Sequence, residues 1–277
     1  MITPGRLIDR LITILGDLKV FPWPMFLIYD PGGYQLKGPA MREVMRRVQP
    51  GDILLRGYRH YLDSYFIPGY FNHAGLYLGW VGERDVERVE LDGGRKRFRA
   101  GEQMVIHALA EGVVMEDLLN FCRCDYMAIL RFPGVLKANG MVQPGGTERL
   151  RWMVEEVQIA NRLQAGQLIT FRDAFPTIFD VALRNLGRPY DFRFDFEDFQ
   201  RLCCTEFVHF CTKSLEPFLG IRPTRKRVLL VPKTMIAPDA FLQSRLRLEW
   251  LSPSVDEGKV RAIRESESDS QESRAVA

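Results

Sequence analysis

Five short β-rich runs follow one another before the longer helical periods of this chain, and that order constrains the fold more than any other feature. The runs are Ile53 to Arg56, Ala74 to Trp80, Met104 to His107, Val113 to Met115 and Tyr126 to Phe132. Their β-branched and aromatic residues, bounded by turn residues, are typical of the strands of one antiparallel sheet. Helical periods follow at 148–163 and 173–186. The order predicts an α+β fold in which a sheet packs against helices that come later in the chain.

A further hairpin is predicted between the second and third runs. The segment "ERVELDGGRKRFRA" contains Asp92, Gly93 and Gly94, which have the turn chemistry of a β-hairpin. The second arm of this hairpin would be strongly basic.

The chain divides into three regions by its pattern. Residues 1–48 form an N-terminal extension whose apolar residues recur at helical spacing, followed by the aromatic stretch "FPWPMFLIY": Leu7, Ile8, Leu11, Ile12, Leu15 and Leu18. We expect this amphipathic helix to pack on its own domain, with contact to a membrane surface or docking of a partner as the alternatives. Residues 49–253 form the main domain. Residues 254–277 are polar and lack aromatic side chains, so we expect a disordered tail.

Composition restricts the classes of protein. A net charge of +3 on 277 residues is too small to indicate a nucleic-acid partner. The five cysteines are an odd number without paired C-x-x-C spacing, so we expect reduced thiols, no structural zinc site and no metal. Charged residues interrupt the N-terminal apolar run, which predicts neither a cleaved leader nor a transmembrane helix. We therefore expect a cytoplasmic protein, with peripheral membrane contact as the alternative for its N-terminal segment.

Two adjacent cysteines mark a candidate nucleophile in the stretch "RLCCTEFVHFC", residues 201–211. Behind them Phe207, Phe210 and Cys211 recur at helical spacing, so a helix is predicted to begin close to Cys203 or Cys204. The unpaired N–H groups at a helix N-terminus favour a thiolate, and Cys204 is placed for this. The structural alternative is that these cysteines fill the core, because free cysteine is among the most buried residue types.

Two of the four histidines fall on neighbouring predicted strands. His73 begins "HAGLYLG" and His107 lies in "VIHALAEGV". A cysteine nucleophile needs a base and a group that orients the base, and these two histidines are candidates for those roles. Taken one at a time, each is better explained as a structural histidine.

The joint pattern resembles a known family. The stretches "GDILL", "HAGLYLG", "VIHALAEGV", "YDFRFDF" and "CCTEFVHF" occur in the order of the YiiX-like, circularly permuted branch of the NlpC-type papain-like cysteine hydrolases, which are related in layout to lecithin retinol acyltransferase. In that branch the strands that carry the histidine come first and the cysteine helix comes last. The resemblance covers about 50–220 and implies a permuted papain-like fold.

The resemblance also implies roles for particular residues. The family's histidine falls on His73 and its cysteine on Cys204, followed by Thr205 and Glu206. The orienting position, often glutamate in YiiX-like members and histidine in the acyltransferase relatives, falls on His107. Tyr190, in the "PYD" stretch, and Thr205, next to Cys204, are candidates to donate to an oxyanion or to contact substrate. A structural role for Glu206 is favoured, because a carboxylate in the first helical turn accepts backbone N–H groups.

Two functions from different classes follow. The first is a cysteine hydrolase or acyltransferase that acts without a cofactor on an amide or ester through a thioester, with a Cys204-His73-His107 triad. Its substrate would be a small peptide, an amino-acid amide or a lipid acyl group. The alternative is a non-catalytic binding module of the same fold, whose basic segments "RKRFR" and "TRKRV" contact an anionic partner or membrane surface.

Overall fold

The computed structural model describes residues 18–22, 25–29, 34–59, 69–91, 98–138, 152–193, 200–228 and 231–266. The predicted amphipathic helix of the N-terminal extension lies almost wholly outside these residues. Two short strands, β1 (Leu18–Pro22) and β2 (Met25–Tyr29), pair antiparallel in this extension, and helix α1 (Gly38–Arg47) follows them.

A six-stranded antiparallel sheet forms the centre of the fold. Its strands are β3 (Ile53–Gly57), β4 (His73–Val81), β5 (Gly101–Leu109), β6 (Gly112–Asp117), β7 (Tyr126–Arg131) and β12 (Arg247–Leu251). They are ordered β12-β7-β3-β4-β5-β6, and each neighbouring pair is antiparallel. The predicted α+β class with one antiparallel sheet is confirmed, and the last strand of the sheet comes from the far end of the chain.

The remaining elements are helices and short strand pairs outside the central sheet. After β4 come α2 (Glu83–Leu91), α3 (Leu118–Phe121) and the strand pair β8 (Val135–Leu136) and β9 (Ile169–Thr170). The longer helices are α4 (Val154–Gln164), α5 (Phe171–Arg184) and the cysteine helix α6 (Cys204–Thr212). A 3-10 turn (Lys213–Leu215), α7 (Glu216–Leu219), hairpin β10 (Thr224–Val228) with β11 (Val231–Met235), α8 (Ala240–Gln243) and α9 (Glu257–Glu265) complete the fold.

Both faces of the sheet are buried, because helices cover each of them. On one face Leu55, Leu76 and Ile106 pack with residues of α4, α5 and α6 in the larger core cluster. On the other face Leu54 and Val105 pack with α1 and with Phe121 of α3. Side chains that alternate along β3, β4 and β5 therefore enter two different interiors.

Two expectations from the sequence are corrected by the structure. The predicted hairpin before residue 92 is wrong, because Glu83–Leu91 is helical; Asp85 accepts a hydrogen bond from the backbone N–H of Gly82 at 3.1 Å, as a residue in a first turn does. Its proposed turn at 92–94 lies outside the described residues. In the predicted disordered tail, Glu257–Glu265 forms α9, with Asp256 capping the helix and Val260 buried. Residues 267–277 of that tail are not described.

Candidate active site

The cysteine helix begins at Cys204, as the sequence predicts. Cys203 is its N-cap residue, and Glu206 Oε2 accepts a hydrogen bond from the backbone N–H of Cys203 at 2.9 Å. This bond confirms the predicted structural role of Glu206, because it satisfies a donor that the helix leaves unpaired. All residues from Cys204 to Thr212 are buried. The capped, buried helix holds the thiol of Cys204 at a fixed place.

Burial dominates the electrostatics of the Cys204 thiol. It raises the pKa of Cys204 to about 11, while hydrogen bonds from the backbone of Ala74 and Thr205 act in the opposite direction. The sequence predicted a lowered pKa at this helix N-terminus, and the desolvation of a side chain that is 4% exposed outweighs that effect.

The pKa values of the other four cysteine thiols are raised further than that of Cys204. Burial raises the pKa of Cys122 to about 12 and raises those of Cys124, Cys203 and Cys211 further. Among the five thiols, that of Cys204 therefore ionises most readily.

His73 and His107 form a buried pair. His73 Nε2 lies 2.8 Å from His107 Nδ1, and the two rings are perpendicular, with their centroids 5.0 Å apart. Gly75 lies opposite His107 on the adjacent strand, so His73 is a diagonal neighbour of His107 on one face. Phe121 packs against both rings, with centroid distances of 6.0 and 5.1 Å. The structure thus brings together the two histidines that the sequence singled out.

Cys204 lies near the beginning of β4. His73 is the first residue of β4, and the thiol of Cys204 contacts the backbone of the next residue, Ala74. Alternation along β4 directs His73 toward Phe121 and Ala74 toward α6, so the imidazole and the cysteine helix lie on opposite sides of the first residues of this strand. Contact between the thiol of Cys204 and the imidazole of His73 stays a prediction.

Two charged residues that the sequence reasoning missed complete the polar cluster. Glu116 Oε1 lies 2.9 Å from His107 Nε2 and 3.6 Å from Nη1 of Arg56. The oxygen does not lie along the direction of an N–H bond at His107 Nε2, so the contact between Glu116 and His107 is close but not well aligned. Arg56 is 5% exposed, donates to the carbonyl oxygen of Phe121 at 3.0 Å and lies over the Phe121 ring. The cluster therefore runs from His73 through His107 to an ion pair.

A signal for Glu116 was present in the sequence. Leu109 pairs with Gly112 across the turn between β5 and β6, which sets Val114 opposite His107 and Glu116 opposite Val105. Since residues two apart share a face, this register places Glu116 on the same face as His107. Reading the Ala110-Glu111 turn as a two-residue hairpin connection would have found it.

The charges of the cluster favour two neutral imidazoles. Burial lowers the pKa of His73 well below its ordinary value, and Arg56 and His107 lower it further. Burial also lowers the pKa of His107, against the opposing effect of Glu116. Burial alone would raise the pKa of Glu116, but contacts with His107 and Arg56 outweigh it and hold that pKa below its ordinary value. The negative charge of Glu116 is thus balanced by Arg56 rather than by a protonated histidine.

The remaining predicted site residues lie in different surroundings. Thr205 is buried, and its Oγ1 lies 3.4 Å from the sulfur of Cys203, which places this hydroxyl beside the neighbouring cysteine. Tyr190 is half-buried, packs against the larger core cluster and contacts Phe192 with ring centroids 4.9 Å apart. Roles for Tyr190 and Thr205 at an oxyanion stay predictions.

In the described part of the chain, no group of histidine, cysteine, aspartate and glutamate residues has the arrangement of a metal site. None of the helices described combines the length and apolar character needed to cross a membrane. A cleft of about 200 Å³ lies between the loop at Gly69 and helices α8 and α9, but none of the candidate residues lines it.

A comparison with known protein families matches part of this chain. Residues 47–143 match the model of the permuted papain-like amidase enzymes of the YaeF/YiiX, C92 family. The match confirms the resemblance over β3 to β8, where Arg56, His73, His107 and Glu116 lie, and ends before the cysteine helix. No curated protein and no solved structure matches the chain.

Proposed function

We propose that this protein is a cysteine hydrolase that cleaves an amide bond, with Cys204 as nucleophile, His73 as general base and His107 as the group that orients His73. The observation that carries the proposal is the buried 2.8 Å contact between His73 and His107. It lies within the segment that matches the amidase family, and the Cys204 thiol meets the same strand. A base held by a second polar group beside a cysteine at a helix N-terminus is the arrangement of papain-like catalysis.

The thiol of Cys204 could be activated in two ways: His73 could remove its proton during the attack, or the two groups could rest as a preformed ion pair. Burial raises the pKa of Cys204 to about 11 and lowers that of His73, so a neutral thiol beside a neutral imidazole is the favoured resting state, rather than a thiolate–imidazolium pair. His73 then removes the thiol proton as the sulfur attacks the carbonyl carbon. The protonated His73 gives that proton to the departing amine, which leaves a thioester on Cys204.

Water completes the cycle. It attacks the thioester carbonyl while His73 accepts its proton, the C–S bond breaks, and the carboxylic acid and the free thiol are released. The backbone N–H of Cys204 is our candidate for one oxyanion donor and the Tyr190 hydroxyl for the other. Amide substrates are favoured because the matching family is described as amidases. Transfer of the acyl group to an acceptor other than water is an outcome that the test below includes.

The test is a substrate panel with matched cysteine variants. γ-Glutamyl amides, lysyl amides and short acyl esters are incubated with the wild type, Cys204→Ala and Cys203→Ala, and released amine or alcohol is measured. We expect Cys204→Ala to lose turnover by about 1,000-fold or more, because the nucleophile is gone, and Cys203→Ala to keep most of it. Equal turnover in the wild type and Cys204→Ala contradicts the proposal. Absence of turnover throughout, together with a Cys204 thiol that labels no faster than the other cysteines, favours the binding-module alternative.

A further inference from the structure

We propose that Glu116 is a positioning residue that fixes, through His107, which nitrogen of His73 carries the proton. This inference rests on the proposed function. That function requires an unprotonated nitrogen on His73, and the inference assigns Glu116 as the cause of that state. Glu116 belongs to β6 and lies beyond the orienting histidine, outside the Cys204-His73-His107 triad.

Two contacts in a row carry the inference. The carboxylate of Glu116 lies 2.9 Å from Nε2 of His107, and Nδ1 of His107 lies 2.8 Å from Nε2 of His73. Both nitrogens of His107 are thus engaged, one by a carboxylate and one by the other imidazole. Each neutral imidazole has one N–H and one lone pair, so the position of one proton determines the next.

The carboxylate of Glu116 determines which nitrogen of each histidine carries the proton. An ionised carboxylate only accepts, so the His107 proton belongs on Nε2, facing Glu116; on Nδ1 it would leave two lone pairs facing each other at 2.9 Å. His107 Nδ1 is then an acceptor, so the proton of His73 belongs on Nε2. The Nδ1 nitrogen of His73 is left with a free lone pair. This is the state that a general base for the thiol needs.

After the larger effect of His107, Arg56 also helps to keep the carboxylate of Glu116 ionised. Its Nη1 lies 3.6 Å from the same Glu116 oxygen and is fixed by the carbonyl oxygen of Phe121. Burial is the main cause of the lowered pKa of both histidines, and the positive charge of this buried guanidinium lowers them further. When His73 becomes positively charged during the reaction, the negative charge of Glu116 partly offsets this cost through the neutral His107. Glu116 thereby acts on His73 through His107, without contacting His73 itself.

The experiment measures the proton positions directly. Two-bond ¹H–¹⁵N correlation spectra distinguish a protonated from an unprotonated imidazole nitrogen, and the four histidines of the chain can be assigned by single substitutions. In the wild type at neutral pH, we expect both His73 and His107 to have a protonated Nε2 and an unprotonated Nδ1. In Glu116→Gln the amide can donate as well as accept, so we expect at least one of the two rings to show a protonated Nδ1 or exchange between the two forms.

Glu111→Gln is the matched control. Glu111 is exposed in the turn between the same two strands, so its substitution removes the same charge without touching His107. We expect its spectrum to match that of the wild type. The rate of acylation of Cys204 by a reactive ester should fall about 10- to 100-fold in Glu116→Gln and remain unchanged in Glu111→Gln, because a base in the wrong tautomer cannot accept the thiol proton.

The outcomes separate this inference from the function on which it rests. A proton on Nδ1 of either ring in the wild type, or unchanged rings in Glu116→Gln, overturns the role of Glu116 even if Cys204 is the nucleophile. Full turnover by Cys204→Ala overturns the function, whatever the tautomers are. If Glu116→Gln does not fold, the wild-type spectrum alone decides, because it tests both proton positions.

Discussion

At the scale of single residues, burial sets the states of the two groups that we propose to react, Cys204 and His73. The thiol of Cys204 is 4% exposed and its pKa is raised to about 11, while the pKa of His73 is lowered. Both shifts favour the neutral form, because removal from water penalises a thiolate and an imidazolium alike. This resting state differs from the low-pKa thiolate that a helix N-terminus alone would produce.

The pH dependence of alkylation tests this resting state. Below a thiol pKa of about 11 the thiolate fraction rises about tenfold for each pH unit, so the rate of Cys204 alkylation by iodoacetamide should rise steadily from pH 6 to pH 9. Rates are obtained by peptide mapping at each pH after short exposures. A rate that is already maximal and flat near pH 6 would indicate a preformed ion pair and contradict the neutral state.

The same labelled peptides rank the five cysteines. We expect Cys204 to be alkylated first at neutral pH, because burial raises its pKa less than it raises those of the other four. The comparison with Cys203 is the most informative, since these residues are neighbours in the chain and both are buried. Faster labelling of Cys203, or equal labelling of all five, speaks against Cys204 as the nucleophile.

Sequence reasoning found individual reactive residues better than it found their supports. His73 and His107 were predicted as a pair from neighbouring strands, and they are 2.8 Å apart. Glu116 and Arg56 were missed because their importance depends on the register of β6 and on a buried position of an arginine. An arginine in a β-rich run is usually exposed, so its identity alone does not indicate burial beside two histidines.

At the scale of elements, Gly75 allows α3 to pack onto the histidine-bearing strands. A Cβ atom at Gly75 would lie 2.7 Å from the ring of Phe121, which is fully buried and contacts both imidazoles. The absence of a side chain at Gly75 thus lets the aromatic ring cover His73 and His107 on one side.

A substitution at Gly75 should therefore disturb both stability and the site. We expect Gly75→Ala to destabilise the fold by about 1–3 kcal/mol, because a buried ring must move to admit the methyl group. Urea unfolding measures this change. Gly134→Ala is the control, since an added Cβ there meets no atom within 4 Å. Equal unfolding midpoints for Gly75→Ala and the wild type would show that the contact with Phe121 is not restrictive.

Strands and helices were predicted correctly where the hydrophobic pattern of the sequence was long or alternating. The five central strands and the start of α6 were predicted closely. Helix α2 was mistaken for a hairpin arm because the Asp92-Gly93-Gly94 turn signal outweighed Val86 and the acidic first turn of Glu83 and Asp85. Strand β12 was missed because its pairing with β7 joins residues more than a hundred positions apart, which no local pattern reports.

At the scale of the whole molecule, the fold contains histidines that resist protonation. His209 on α6 is buried, and burial lowers its pKa to about 4, with Lys213 contributing in the same direction. The pKa values of His73 and His107 are lowered as well. Since the unfolded chain binds these protons more readily, folding stability is lost as the pH falls below about 6.5.

Replacement of His209 should flatten this acid sensitivity. The pKa of His209 is about 6.5 in the unfolded chain and about 4 in the folded protein. The loss of unfolding free energy therefore develops between these two pH values and amounts to roughly 3 kcal/mol at most. We expect the unfolding free energy of His209→Gln to fall less steeply than that of the wild type over this range. Urea unfolding at several pH values between 7 and 4 measures it, and parallel curves for the two proteins would contradict the assignment.

The most direct measurement of the central claim is the site of acyl attachment. The wild type, Cys203→Ala and Cys204→Ala are incubated briefly with a p-nitrophenyl ester, and intact mass and peptide mapping locate the added acyl group. We predict one acyl group on Cys204 in the wild type and in Cys203→Ala, removable by hydroxylamine as a thioester is, and none in Cys204→Ala. Acylation that persists in Cys204→Ala, or that maps to another residue in the wild type, would contradict Cys204 as the nucleophile.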